Sequence, residues 1–261
     1  MIALFTDFGT QDVYVAQVKG VILSMNPHAT LVDLSHGVGP FDVPQAAYLL
    51  EKATRYFPAG TIVVAVVDPG VGSARHPLLV CTQAAKFYVG PDNGLFTWVV
   101  EREGLREAYM LEQEAYFHTP RVSATFHGRD IFGPVAAHLS LGIAPACFGQ
   151  RLTEIVTFSL LQPRREGQAI TGMVLHIDHF GNILTNIPAA LLDGIRPGQD
   201  ITIALSGITR AVPFCRTYAD GAPHALMCLI NSNEEFEIAC AQGRAIEQVH
   251  TRVGDRIVIP W

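Results

Sequence analysis

The sequence predicts an α/β amino-terminal domain, with a mostly parallel sheet flanked by helices, followed by a smaller carboxy-terminal domain of β-sandwich or barrel type. Three observations carry this expectation. Over residues 1–150, strand-like and helix-like segments alternate, as in a parallel sheet covered on both faces. The run Thr61-Ile62-Val63-Val64-Ala65-Val66-Val67 is apolar and β-branched nearly throughout, the mark of a strand buried on both sides. Past the polar stretch Leu161-Gln162-Pro163-Arg164-Arg165-Glu166-Gly167, short strand-like runs are separated by Gly, Pro and Asn turns. Domains are therefore expected over 1–160 and 171–261, with a linker over 161–170.

Taken in order, Ile2 to Phe5 reads as a first strand, and Val18, Val21, Ile22 and Met25 fall at helical spacing before Asn26-Pro27 ends that helix. Leu31 to Leu34 is a second strand. Asp42 can cap a helix that has Pro44 in its first turn and Ala46, Ala47, Leu49 and Leu50 along it. The buried run ends at Asp68. Strands follow at Leu78 to Val80 and Phe87 to Val89, then a short helix through Trp98 and Val99 with Asn93 as its expected cap, and a helix from Ile131 to about Leu141. Strands of the second domain are expected at Gly172 to Ile177, Ile201 to Leu205, Ala225 to Ile230 and Arg256 to Ile259.

A chain of 261 residues, 49% hydrophobic and 16% charged, buries a substantial core and reads as an ordinary soluble globular protein. Its longest apolar runs are strand-sized, short of the ~20 residues of a membrane span. Met1-Ile2-Ala3-Leu4-Phe5-Thr6-Asp7 has neither the basic start nor the apolar stretch of a signal peptide, so a cytoplasmic location is expected. Cys81, Cys147, Cys215, Cys228 and Cys240 are odd in number and contain no Cys-x-x-Cys pair, which points to reduced thiols and away from a disulfide framework or zinc site. A net charge of -6 with no Lys/Arg cluster argues against a nucleic-acid surface and suits a neutral or cationic ligand.

Two glycine-rich turns hold the residue types of a catalytic group. One, Asp68-Pro69-Gly70-Val71-Gly72-Ser73-Ala74-Arg75, follows the buried run, placing Asp68 at the carboxyl end of a strand, where open α/β sheets bind ligands. The other, Phe126-His127-Gly128-Arg129-Asp130, lies just before a helix, where backbone donors point outward. Each residue alone has a plainer reading: a turn former, a surface cation and a structural imidazole. An acid, a guanidinium and an imidazole at one sheet edge outweigh those readings. Asp7 follows the first strand at the same edge and serves either as a turn cap or as an acceptor for both hydroxyls of a ribose. Gly70-x-Gly72 lacks the third glycine of a dinucleotide loop and any Walker lysine. His176-x-Asp178-His179 puts His176 and Asp178 on one strand face and His179 on the other, a poor metal pair.

Four segments together resemble one family: Thr6-Asp7-Phe8-Gly9; Val67-Asp68-Pro69-Gly70-Val71-Gly72 with Arg75; Thr125-Phe126-His127-Gly128-Arg129-Asp130-Ile131-Phe132; and Ile177-Asp178-His179-Phe180-Gly181-Asn182 continuing to Thr185-Asn186. The chain resembles the S-adenosyl-L-methionine hydrolases that form adenosine, relatives of the fluorinases and chlorinases. The resemblance implies the two-domain fold above and a homotrimer in which one subunit's second domain completes the adenosine site of its neighbour. It implies that Asp7 holds the ribose hydroxyls and Phe41 packs beside the nucleoside. Asp178 matches the acid that meets the methionine amine, Phe180 and Asn182 match the stacking and amide groups of the adenine pocket, and Ser232 matches a serine at the methionine end. Halogenating relatives have tyrosine where Asp68 stands and lack the His127 and Arg75 combination. After the matching Asn-Ser, where the family commonly has glycine and aromatic residues, this chain has Asn233-Glu234-Glu235-Phe236.

The implied reaction is hydrolysis of S-adenosyl-L-methionine to adenosine and L-methionine. The sulfonium is already a good leaving group, so neither metal nor redox cofactor is expected, and water has to be placed in line with the carbon–sulfur bond. Arg75 can stabilise a developing hydroxide, His127 suits the role of proton acceptor, and Asp68 can orient His127 or pair with Arg75. The competing readings are a halide-using adenosyl transferase, a non-catalytic adenosine or S-adenosyl-L-methionine binding protein, and a metal-dependent hydrolase built on His127, Asp130 and Asp68.

Overall fold

Period-2 alternation in two buried strands organises the first half of the molecule. In β1 (Ile2–Thr6) and β3 (Ile62–Val66), every residue is buried. Alternate side chains of a strand point to opposite faces, so Ile2, Leu4, Ile62, Val64 and Val66 enter one core while Ala3, Phe5, Val63 and Ala65 enter another on the far side of the sheet. The computed structural model describes residues 1–159 and 161–260. Within it the chain divides after Phe158 into two units. The expected domain ends at 160 and 261 lie outside the described residues.

The first unit continues through α1 (Tyr14–Met25), β2 (Leu31–Ser35), α2 (Val43–Thr54), β4 (Pro77–Thr82), β5 (Phe87–Pro91), α3 (Thr97–Glu103), β6 (Leu105–Met110), α4 (Gly133–Ser140) and β7 (Arg151–Leu152). Its sheet has the order β2-β1-β3-β5-β4-β6-β7. Strands β2, β1, β3 and β5 run parallel, and the remaining pairs are antiparallel. Val18 and Ile22 of α1 and Val135 and Ala136 of α4 cover one face; Ala46 and Leu50 of α2 and Val99 of α3 cover the other. Helix α2 starts where expected because Asp42 accepts from the Gln45 amide at 3.0 Å, a cap worth about 1 kcal/mol, with Pro44 in the first turn.

Asn93 does not cap α3, which has Phe96 at its N-cap position. Its amide instead donates to the Val67 carbonyl at 2.9 Å and its oxygen accepts from the Leu95 amide, so it fastens the end of β3 just before Asp68.

The second unit comprises β8 (Arg164–Glu166), β9 (Ala169–Ile177), β10 (Ile183–Pro188), β11 (Asp200–Leu205), β12 (Ile208–Pro213), β13 (Leu226–Ile230), β14 (Glu235–Cys240), α5 (Ala245–Val249) and β15 (Arg256–Pro260). Its pairs are antiparallel in the order β12-β11-β15-β9-β10-β14-β13, with β8 beside β9. Phe214, just beyond β12, bridges Cys228 of β13, so the sheet curls nearly into a barrel. Alternate residues Ile201, Ile203 and Leu205 fill its interior with Ile170, Val174, Ile257 and Ile259. The stretch expected as a linker contains a hairpin: β8 folds back on β9 about Gly167, whose φ of 55° suits glycine. Proline, glycine and charge mark a tight surface turn as readily as a linker. Among the described residues, no helix is long and apolar enough to cross a membrane.

Candidate active site

Strand order locates the first cavity. Strand β1 lies between β2 and β3, so the crossover after β1 leaves to one side and the crossover into β3 arrives on the other. The crevice outside the carboxyl ends of such strands is a ligand site. Asp7 follows β1, Phe41 lies in the connection after β2, and Asp68 closely follows β3; all three line a cavity of about 290 Å³ with Phe8, Tyr14, Phe126 and His127.

The two glycine-rich turns meet at this edge. Gly72 has a φ of 77°, and a Cβ there would come within 2.3 Å of the Ala124 carbonyl, so only glycine lets the Asp68 turn press against the loop that carries His127. Arg75 forms the centre of the resulting cluster. Its Nε donates to Asp68 Oδ1 at 3.0 Å, one Nη2 bond closes the pair on Asp68 Oδ2, and Nη2 also donates to His127 Nδ1 at 2.7 Å. The guanidinium rests over the Phe132 ring at 5.5 Å. The Asp68 and Arg75 side chains are only 5% and 9% exposed, so deleting one leaves an uncompensated buried charge, at a cost of about 3–5 kcal/mol.

Asp68 thus pairs with Arg75 and not with His127. Because a guanidinium only donates, Nδ1 is the acceptor, and the neutral imidazole carries its proton on Nε2. Burial and the Arg75 charge hold His127 below its ordinary pKa of 6.5, outweighing the carboxylates of Asp68 and Asp130. The ring is therefore set as a neutral donor, whereas the sequence pointed to a proton acceptor. Arg75 Nη1 is buried without a hydrogen-bond partner among the described residues.

Asp7 has one oxygen committed: Oδ2 accepts from the Phe41 amide at 2.9 Å. Phe41 sits at a φ of 66° and is 71% exposed, a strained and solvated aromatic at the cavity mouth. Asp7 Oδ1 is left for other donors.

The second unit has a cavity of its own, about 520 Å³, lined by Asp178, Phe180, Asn182, Tyr218 and residues 240–243. It forms where β9 turns into β10. Asp178 Oδ1 accepts from the Asn182 backbone amide at 2.8 Å and Oδ2 from the Asn182 side-chain amide at 3.0 Å, which fixes both residues and leaves Asn182 Oδ1 outside those bonds. Phe180 is 70% exposed. Tyr218 donates to the buried Glu237 carboxylate at 2.7 Å, which pins its half-exposed ring.

Family models match both units: the SAM hydroxide adenosyltransferase N-terminal domain over residues 2–149 and the corresponding C-terminal domain over 172–258. The chain belongs to the SAM hydroxide adenosyltransferase family. It is 37% identical over 257 residues to an (R)-S-adenosyl-L-methionine hydrolase of Thermus thermophilus, covering 95% of each chain. A fluorinase of an Actinoplanes species is 33% identical, over 84% of this chain and 83% of its own. In structure the chain is similar to an uncharacterized conserved protein from Thermotoga maritima, with a TM-score of 0.96, 34% identity and full coverage of both chains.

Of the residues that the sequence and its resemblance to the S-adenosyl-L-methionine hydrolases singled out, Asp7, Phe41, Asp68 and His127 line the first cavity, with Arg75 bonded behind them, and Asp178, Phe180 and Asn182 line the second. Ser232 lines neither; it is exposed on the turn after β13. That turn is held by Asn231 Oδ1, which accepts from the amides of Asn233 and Glu235. Glu234 has a φ of 62° there, a conformation that glycine adopts without strain. Asp130 is fully buried and bound to Arg129 and the Ser123 amide, so it braces the His127 loop from behind. Among the described residues, no three His, Cys, Asp or Glu side chains gather as a metal-binding set. Sequence reasoning missed Phe8, Tyr14, Phe126 and Tyr218. The first three pack edge to face at centroid distances of 5.4–6.0 Å. Tyr218 carried one legible signal, the Thr217-x-x-Asp220 capping box around it.

Proposed function

We propose that the protein hydrolyses S-adenosyl-L-methionine to adenosine and L-methionine. What supports this most is the Arg75 cluster at the switch-point cavity: two donors, Arg75 Nη1 and His127 Nε2–H, beside a carboxylate, Asp68. Those are the groups an attacking water needs. The oxygen–C5′ bond forms as the C5′–sulfur bond breaks, the electron pair passes to sulfur as the neutral thioether of methionine, and one proton is released. The two donors stabilise the developing hydroxide, and Asp68, whose oxygens keep lone pairs after pairing with Arg75, receives the proton and passes it to solvent. Asp7 and Phe41 hold the ribose, Phe180 and Asn182 the adenine, and Asp178 the methionine amine, with Ser232 at the methionine end. The sulfonium is activated from the start, so the reaction uses no metal or redox cofactor.

The relatives named for the (R)-sulfonium epimer support that epimer as the substrate. The assembly is a homotrimer in which Asp68 of one subunit and Asp178 of its neighbour serve one substrate. In support, the first unit offers ribose and nucleophile-binding groups, while the second offers the adenine and amine groups. We place the enzyme in the cytoplasm, where five free cysteines are at home, and give it no nucleic-acid partner in view of its net charge of -6.

The test is incubation with each epimer of S-adenosyl-L-methionine, with and without chloride or fluoride, and chromatography of the products. Adenosine and methionine in equal amounts are expected, faster from the (R) epimer and unchanged by halide. A halogenated nucleoside would install the transferase reading, and an unchanged substrate the binding-protein reading. Light scattering of the protein in solution tests the trimer.

A further inference from the structure

A second chain of polar side chains lies behind the first cavity and is not used by the mechanism. Thr6, at the end of β1, is buried, and its Oγ1 lies 2.8 Å from Nδ1 of His36, itself buried. His36 Nε2 is 3.0 Å from Asp33 Oδ1, and Lys19 donates to Asp33 Oδ2 at 2.6 Å. Bond directions follow from the atoms present. Thr6 Oγ1 accepts from the Phe8 amide at 3.2 Å, so in the neutral ring its hydroxyl donates to Nδ1 while Nε2–H donates to Asp33. The His36 carbonyl also accepts from the Gly9 amide at 2.8 Å. His36 therefore grips the turn after β1 twice, through Thr6 and through Gly9, and the residues between are Asp7 and Phe8, both in the cavity wall. Neither Thr6 nor His36 lines the cavity.

We infer that His36 and Thr6 are positioning residues: with Asp33 behind them they fix the Asp7 turn and so set the site's affinity for the vicinal hydroxyls of a ribose. The inference rests on the hydrolase reading, in which Asp7 takes the ribose. A buried histidine with both ring nitrogens engaged and its own carbonyl bonded to the same turn is the arrangement that holds one carboxylate to a single orientation. Asp7 has a second task in that orientation, since its Oδ2 holds the Phe41 amide. A turn free to tilt would lose both.

The experiment compares wild type, Thr6→Val, Thr6→Ser and Asp33→Ala by calorimetric binding of adenosine and of 2′,3′-dideoxyadenosine, with kcat for S-adenosyl-L-methionine alongside. Thr6→Val is expected to weaken adenosine about tenfold, leave dideoxyadenosine unchanged and keep kcat within about threefold. Thr6→Ser keeps the hydroxyl and restores adenosine binding. Asp33→Ala, at a side chain 44% exposed where folding is not at risk, weakens adenosine by about threefold with the same indifference of the dideoxy analogue, and carries the test if Thr6→Val does not fold. Equal losses for the two nucleosides, or none, would overturn the inference while leaving the hydrolase intact. A wild type that neither binds adenosine nor releases it from the substrate would overturn the hydrolase reading and this inference together.

Discussion

In the amino-terminal cavity the groups assigned to chemistry are buried and tied to one another, whereas in the carboxy-terminal cavity the group assigned to stacking stands open to solvent above a fastened carboxylate. Asp68 and Arg75 are more than nine-tenths buried and share two hydrogen bonds; Phe180 is 70% exposed. The proposed roles account for the difference. A charge cluster that stabilises a transition state has to be oriented before substrate arrives, because reorganisation at that moment raises the barrier. An exposed ring gains by being covered, since full burial of a Phe contributes about 1.5–3 kcal/mol, and that gain is available only to a site that starts solvated. Substitutions in the Asp68–Arg75–His127 cluster should then act on kcat and those in the second cavity on KM.

The largest effect expected is from His127→Ala, which removes one of the two donors and leaves Arg75 Nη2 with Asp68 Oδ2 as its one remaining acceptor of the two. A fall in kcat of about 10²–10³ with KM within a few-fold is the outcome, measured by adenosine release. Arg75→Lys comes next. An ammonium cannot make the two-pronged bond to Asp68 and reach Nδ1 as well, so kcat falls about 10²-fold although the charge is kept. Either variant with wild-type kcat and a raised KM would erase the contrast between the cavities.

On the other side, Asn182→Ala releases Asp178 Oδ2, while Oδ1 keeps the backbone amide of residue 182, and deletes the side-chain amide assigned to adenine. KM is expected to rise about tenfold with kcat unchanged. The smallest effect sharpens the His127 assignment. Its pKa lies below 6.5, so protonation, which would break the bond from Arg75, reaches half only on the acid side of that value. The kcat profile should be flat through neutral pH, keep more than half its plateau at pH 6.5, and fall below it; a midpoint above 6.5 would contradict the neutral, donor-set ring.

The same contrast explains what was legible in the sequence. Asp68, Arg75 and His127 stand out as polar residues in glycine-rich turns at one sheet edge, and Gly72 is required there by a positive φ and a close approach. The parallel strands were readable because both their faces are apolar. Strands β10, β12 and β14 were not among the expected strands. Strand β14 begins Glu235-Phe236-Glu237, and both glutamates are buried against partners that only the fold supplies, such as Tyr218. Strand β12 is an exposed edge that includes Thr209 and Arg210, without the alternation of a half-buried strand. The order Asp68–Arg75–His127, with arginine in the middle, was also beyond sequence: spacing brings three side chains to one edge but does not say which pairs with which.

Hydrolysis in oxygen-18 water, followed by mass analysis of both products, tests the central claim most directly. Attack of solvent on the 5′ carbon predicts one heavy oxygen in each adenosine and none in methionine. Unlabelled adenosine would contradict it, because the new bond would then not have been made by water held at Arg75 and His127.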